Sequence, residues 1–176
     1  DHDLWHDGAE VTAGVKLLLR SDLLFEFPAT SASSGHRGYI WTACPLSSGL
    51  LATGGRDTTI RIWRGERCVA ILPGHDLSVT ALVEDAEGRL VSGSRDGTIS
   101  TWDPRQGWQR VAHRIAHEGA VLCLLRGPGG IISAGADGVI RGASMHRQSG
   151  QGWVWGLARD AAGRLLSAGA VSYTHL

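Results

Sequence analysis

Over most of the chain short apolar runs alternate with polar turns, without the three-to-four-residue spacing of an amphipathic helix. Four runs, "LLAT", "RLVS", "IIS" and "LLS", each close on Ser or Thr. Each follows a polar turn ("PLSSG", "EDAEG", "RGPGG", "RDAAG"). Before each turn stands an apolar pair: Ile40 with Ala43, Val79 with Leu82, Val121 with Leu124, Val154 with Leu157. A strand that buries one face repeats every two residues, so a spacing of three predicts one extra residue, a β-bulge, in that strand. After the first three runs, "RDTT", "RDGT" and "ADGV" supply the Asp and Gly of a tight hairpin into a further strand. Strands at this density, with turn signals between them, predict an all-β fold.

The pattern is a repeat. Gly35-His36, Gly74-His75 and Ala116-His117 open successive units at intervals of 39 and 42 residues, and the distance from His to hairpin Asp is 21, 21 and 20. Those intervals fall near the period of about 40 to 45 residues of four-stranded repeat units. The histidine start, the Ser/Thr-Gly-x-x-Asp hairpin and a closing Trp at Trp63 and Trp102 resemble the WD-repeat family of β-propellers, from Gly35 to about Gly169. Only the second copy has a literal Trp-Asp pair, Trp102-Asp103; the first has Trp63-Arg64, and the third has Ala143-Ser144 where the Trp belongs.

The resemblance implies four-stranded antiparallel blades in a partial ring of about three to four. Blade one is expected at 35–73, blade two at 74–115, a degenerate blade three without its Trp at 116–149, and a partial blade four at 150–176. Residues 1–34 lack the pattern and read as strands of a preceding or incomplete blade. The chain starts at Asp1 without an initiator Met, and "LLSAGAVSYTHL" departs from the repeat where an Asp is due. Both termini therefore read as cut, with 171–176 a non-native tail.

His75, Ser92 and Asp96 are the residue types of a nucleophilic triad, and a hydrolase would need one exposed Ser beside its base with an oxyanion hole. The set recurs instead, and the indole N–H beside it is a donor that needs the hydroxyl as acceptor. The resemblance implies a structural hydrogen-bond network in each blade: His36, Thr53, Asp57 and Trp63; His75, Ser92, Asp96 and Trp102; His117, Ser133 and Asp137. Blade three, lacking the indole, is expected to be weaker or repacked around "RGASMHRQ", with a shortened outer strand.

In the family, the loops entering the first strand and leaving the second line the face where partners dock. Carried over by position, this selects Tyr39, Trp41, Trp153 and Trp155, with Arg56 and Arg95 just before the hairpin aspartates. Tyr, Trp and Arg are enriched at binding hot spots. Their rival roles are packing between blades for the aromatics and plain solvated charge for the arginines.

Composition narrows the partner. Lys plus Arg equals Asp plus Glu at 17 each, so there is no net field to attract nucleic acid or an anionic membrane. Cys44, Cys68 and Cys123 are odd in number and lack CxxC spacing, as expected of reduced thiols. The run from Val15 to Phe27 carries Lys16, Arg20, Asp22 and Glu26, which excludes a membrane span there. His113 and His117 are four apart in a strand and loop rather than a helix, so no metal site is expected, and the "GPGG" turn has no GK[ST] to make it a phosphate loop. The expected function is a non-catalytic, intracellular and cytoplasmic protein-interaction scaffold without cofactors. It would bind a protein or peptide, acidic or phosphorylated, and self-associate where the ring is open. The alternative is a regulatory or targeting module of a larger enzyme: a kinase, NTPase or ubiquitin-ligase subunit.

Overall fold

The structure, a computed structural model, describes residues 35–143, 145–148 and 152–170; the readings of 1–34 and of the tail at 171–176 lie outside them. Strands β1 (Ile40–Pro45), β2 (Leu51–Gly55), β3 (Ile60–Arg64) and β4 (Arg67–Leu72) form one antiparallel sheet in chain order. A second holds β5 (Val79–Glu84), β6 (Leu90–Ser94), β7 (Thr98–Asp103) and β8 (Gln109–Ile115). A third holds β9 (Val121–Gly127), β10 (Gly130–Gly135), β11 (Val139–Gly142) and β12 (Met145–Gln148), and β13 (Val154–Arg159) pairs with β14 (Leu165–Gly169). The first three are the expected four-stranded antiparallel sheets of an all-β fold.

The first strands lie side by side, β1 against β5, β5 against β9, and β9 against β13. Their pairings with β2, β6, β10 and β14 each carry an irregularity at the first turn, where one strand gains a residue on its partner. That is the bulge implied by the three-residue spacing of the apolar pairs.

Consecutive sheets pack face to face. Ala52, Ile60, Ile62 and Leu72 of the first sheet meet Val79, Leu82, Leu90 and Trp102 of the second in one apolar cluster. Val91 and Ile99 of the second meet Val121 of the third, and Ile132, Ala134 and Ile140 of the third meet Val154. Two glycines set how closely the sheets approach: a Cβ on Gly54 would stand 2.6 Å from a Val79 methyl carbon, and one on Gly93 2.5 Å from a Val121 methyl carbon. At the third boundary Ala134 takes the equivalent place against Val154. In the hairpin turns the residue after the Asp is left-handed, as Gly97 (φ 81°), Gly138 (φ 71°) and, against its preference, Thr58 (φ 67°). The face of the first sheet away from the second leaves Leu51, Val69 and Ile71 exposed.

Gly93→Val should destabilise the chain by about 1–3 kcal/mol through overpacking between β6 and β9, read as a lower urea midpoint at unchanged slope. An unmoved midpoint would mean that this approach does not limit the stacking.

Candidate functional site

Each of the first three sheets carries a chain of hydrogen bonds from its third strand to the loop before its first. In the first, Trp63 Nε1 donates to Thr53 Oγ1 at 2.7 Å, His36 Nε2 lies 2.8 Å from that hydroxyl, and His36 Nδ1 lies 2.9 Å from Asp57. The indole can only donate, so the Thr53 proton goes to Nε2 and Nδ1–H points at the carboxylate. In the second, Trp102 Nε1 donates to Ser92 Oγ at 2.9 Å, and Ser92 Oγ lies 2.7 Å from His75 Nε2. Here the order differs from that expected of the repeat. His75 Nδ1 is 3.0 Å from the Thr98 hydroxyl, which donates onward to Asp96 at 2.6 Å, while Nδ1 and Asp96 stand 3.4 Å apart. Thr98 thus relays the contact; its equivalent Thr59 also donates to Asp57. Both are visible in the sequence as Asp-x-Thr, a signal that the Ser-His-Asp-Trp pattern does not include.

The third sheet has no indole. Ser133 Oγ keeps His117 Nε2 at 2.9 Å, and His117 Nδ1 keeps Asp137 at 2.9 Å. Arg141 stands against this pair, its Nη1 2.6 Å from Asp137 and 2.7 Å from His117 Nδ1; its register equivalent Arg61 lies 4.0 Å from Asp57 in the first sheet, which keeps its indole. Nδ1 cannot both donate to the carboxylate and accept from the guanidinium. The guanidinium thus lies closer to its carboxylate in the third sheet than in the first, 2.6 Å against 4.0 Å.

Burial disfavours the carboxylates, but the donors around them prevail. Asp96 is held at about 2 by the hydroxyl and backbone N–H of Thr98, the N–H of Asp76 and the nearby His75. Asp137 is held at about 2 by His117, Arg141 and the N–H of Val139. Burial also lowers His75 and His117, against the pull of Asp96 and Asp137. The hydroxyls are closed to any substrate: Ser92 and Ser133 are 0% exposed. A triad's connectivity is present in the first and third sheets, and through Thr98 in the second, as an internal tie between strands.

The rim residues stand beside the hairpin end of the bond chain, Arg56 next to Asp57 and Arg95 next to Asp96. One backbone bond recurs in all four sheets: Arg56 N–H to Tyr39 O, Arg95 to Ser78, Ala136 to Ala120 and Ala170 to Trp153, at 2.8 to 2.9 Å. It places Arg56 beside Tyr39, and Arg95 beside Ser78. Tyr39 is 49% exposed, Trp41 53%, Trp153 51% and Trp155 55%. The rings pair locally, Tyr39 with Trp41 at 5.8 Å between centroids and Trp153 with Trp155 at 5.2 Å. Trp41 and Trp155 sit at the bulges. Arg56 and Arg95 are exposed, and neither guanidinium has an ion pair among the described residues.

The family model described as "WD domain, G-beta repeat" matches residues 28–64 and 66–103. Both stretches are WD repeats. This WD-repeat chain is 40% identical over 112 residues to a sterol regulatory element-binding protein cleavage-activating protein of Xenopus laevis, covering 62% of this chain and 8% of that one. It is 42% identical over 92 residues to the nuclear distribution protein PAC1-2 of Uncinocarpus reesii, covering 49% of this chain and 20% of that one. Its fold resembles the WD40 β-propeller domain of Doa1 with a TM-score of 0.70 at 22% identity, over 77% of this chain and 49% of that one. The WD-repeat chain therefore spans well under two thirds of the relatives it matches.

Ser92→Ala should cost about 1–3 kcal/mol, because it leaves the Trp102 indole N–H and His75 Nε2 unpaired in the interior. Ser133→Ala, which strands one partner, should cost less; equal losses in urea unfolding would deny the indole its share. Stability should also fall in two stages on acidification. The folded pKa of His75 and His117 lies below the ordinary 6.5, so the unfolded chain binds protons first and stability drops as pH falls below about 6.5. Asp96 and Asp137, at about 2, add a second loss from about pH 4 down to about 2. Urea midpoints at stepped pH check this, and a flat profile between pH 7 and 3 would contradict it.

Proposed function

We propose that this WD-repeat chain is a non-catalytic protein-interaction module that captures a protein or peptide on the rim carrying Tyr39, Trp41, Arg56, Arg95, Trp153 and Trp155. The observation that supports it is a rim that carries large aromatic rings at about half exposure and two exposed arginines without an ion pair among the described residues. Half-exposed aromatics on a rigid strand start lose little freedom when a partner covers them. Unpaired guanidiniums favour an acidic or phosphorylated segment. In the family generally, the repeats serve protein assembly rather than chemistry. The three cysteines are free thiols, which supports an intracellular, cytoplasmic setting for the module.

A second reading is that these blades regulate or target a larger chain, an enzyme or a member of a complex; the small share of each relative that is matched supports it. Under either reading the exposed Leu51, Val69 and Ile71 face would drive self-association unless another sheet covers it.

Partners captured from cell extract by the chain should be lost when Trp41 and Trp155 are both changed to Ala, with the urea midpoint within about 1 kcal/mol of the parent. Undiminished capture by the folded double variant would remove the rim from the function.

A further inference from the structure

The boundary between the second and third sheets differs from its neighbour in a coordinated way. At the first boundary Ile62, Leu72 and Trp102 close the outer half, with Trp102 3% exposed. By strand register the equivalent places at the second boundary are Thr101, Arg114 and Ala143. Three apolar fillers are thus replaced by a hydroxyl, a guanidinium and a methyl. Inside, Val91, Ile99, Val121 and Ile131 still pack. Outside, a cavity of about 740 Å³ opens between Arg114 of β8, the Gly129–Gly130 turn and the Arg141–His146 stretch. A second cavity of about 480 Å³ shares Arg114 and the same turn and extends past Arg126 to the β5–β6 turn.

The charges in this groove are uneven. Arg89 is held by Asp85 at 2.7 Å and Glu87 at 2.9 Å, and Arg141 by Asp137 at 2.6 Å. Arg114 and Arg126 are exposed and have no hydrogen-bond or ion-pair partner among the described residues. We propose that this groove is a docking site for a phosphorylated side chain of a partner protein, held by Arg114 and Arg126. A phosphate monoester carries about −1.5 to −2 at pH 7 and offers three acceptor oxygens. It therefore matches two free guanidiniums more closely than a single carboxylate does, and guanidinium forks suit its geometry. The cavity volume exceeds that of the phosphate alone, leaving room for the peptide around it. The turns that border the groove lie at the other end of the strands from the rim, and none of the rim residues lines either cavity, so the two sites are distinct. The inference does not rest on the rim reading.

The test presents the immobilised full chain with a degenerate peptide library fixed at a central phosphoserine, beside the same library with Ser or Glu there. The phosphoserine pool should be retained and released by salt, and Arg114→Leu with Arg126→Leu should weaken retention at least about tenfold. Leu72 fills the equivalent place at the first boundary, so the Arg114→Leu change is compatible with the stacking. Ala143→Trp, which refills the slot, should also abolish retention while raising the melting temperature. Arg56→Ala with Arg95→Ala should leave it intact. Equal retention of the Ser or Glu pool would overturn the proposal, as would retention that survives the groove variants or disappears only with the rim variants.

Discussion

The structure depends on stacking one sheet's face on the next, and at the first boundary that stacking is completed by a buried indole whose N–H must be answered. Trp102 contributes apolar area between two sheets, and its single donor is satisfied by Ser92. An unanswered donor in that place would cancel much of what the burial contributes. The serine in turn fixes His75, and His75 reaches the hairpin turn through Thr98 and Asp96. A requirement of one side chain thus organises third strand, second strand, hairpin and preceding loop. These are the residue types of a nucleophilic triad used for cohesion, because the hydroxyl is sealed inside and accepts from an indole rather than facing a substrate.

This internal bonding leaves the edges of the sheets available for recognition. The bulges hold Trp41 and Trp155 at the rim, and one repeated backbone bond sets the neighbouring residues at the same level in all four sheets. Side chains at those levels differ from sheet to sheet: rings in the first and fourth, Ser78 with Thr80 in the second, Ala120 with Leu122 in the third. A common framework with variable edges can present different surfaces at little cost in stability.

Where the indole is missing, the framework changes its chemistry. The third sheet keeps Ser133, His117 and Asp137, and its boundary with the second sheet becomes polar towards the outside through Thr101 and Arg114. The inner half remains apolar, so the sheets still stack through Val91, Ile99 and Val121. Losing the filler opened a groove rather than breaking the fold, since the inner contacts suffice to hold the two sheets together.

The repeat, the all-β class, the bulged first strands and the hairpin turns were legible in the chain, because periodicity, glycine conformation and the donor-only indole are local constraints written in residue type. Ala143 announced a third sheet without an indole for the same reason. The relay through Thr98 was less legible, since its order depends on an ångström-scale choice between two acceptors for one histidine nitrogen. The sequence by itself determined the repeating sheets and their internal ties. Only the tertiary structure decided that Tyr39, Trp41, Trp153 and Trp155 stand open to solvent, and that Thr101, Arg114 and Ala143 share one boundary. Exposure and the meeting of separate sheets depend on what packs beside each strand, which no local pattern encodes.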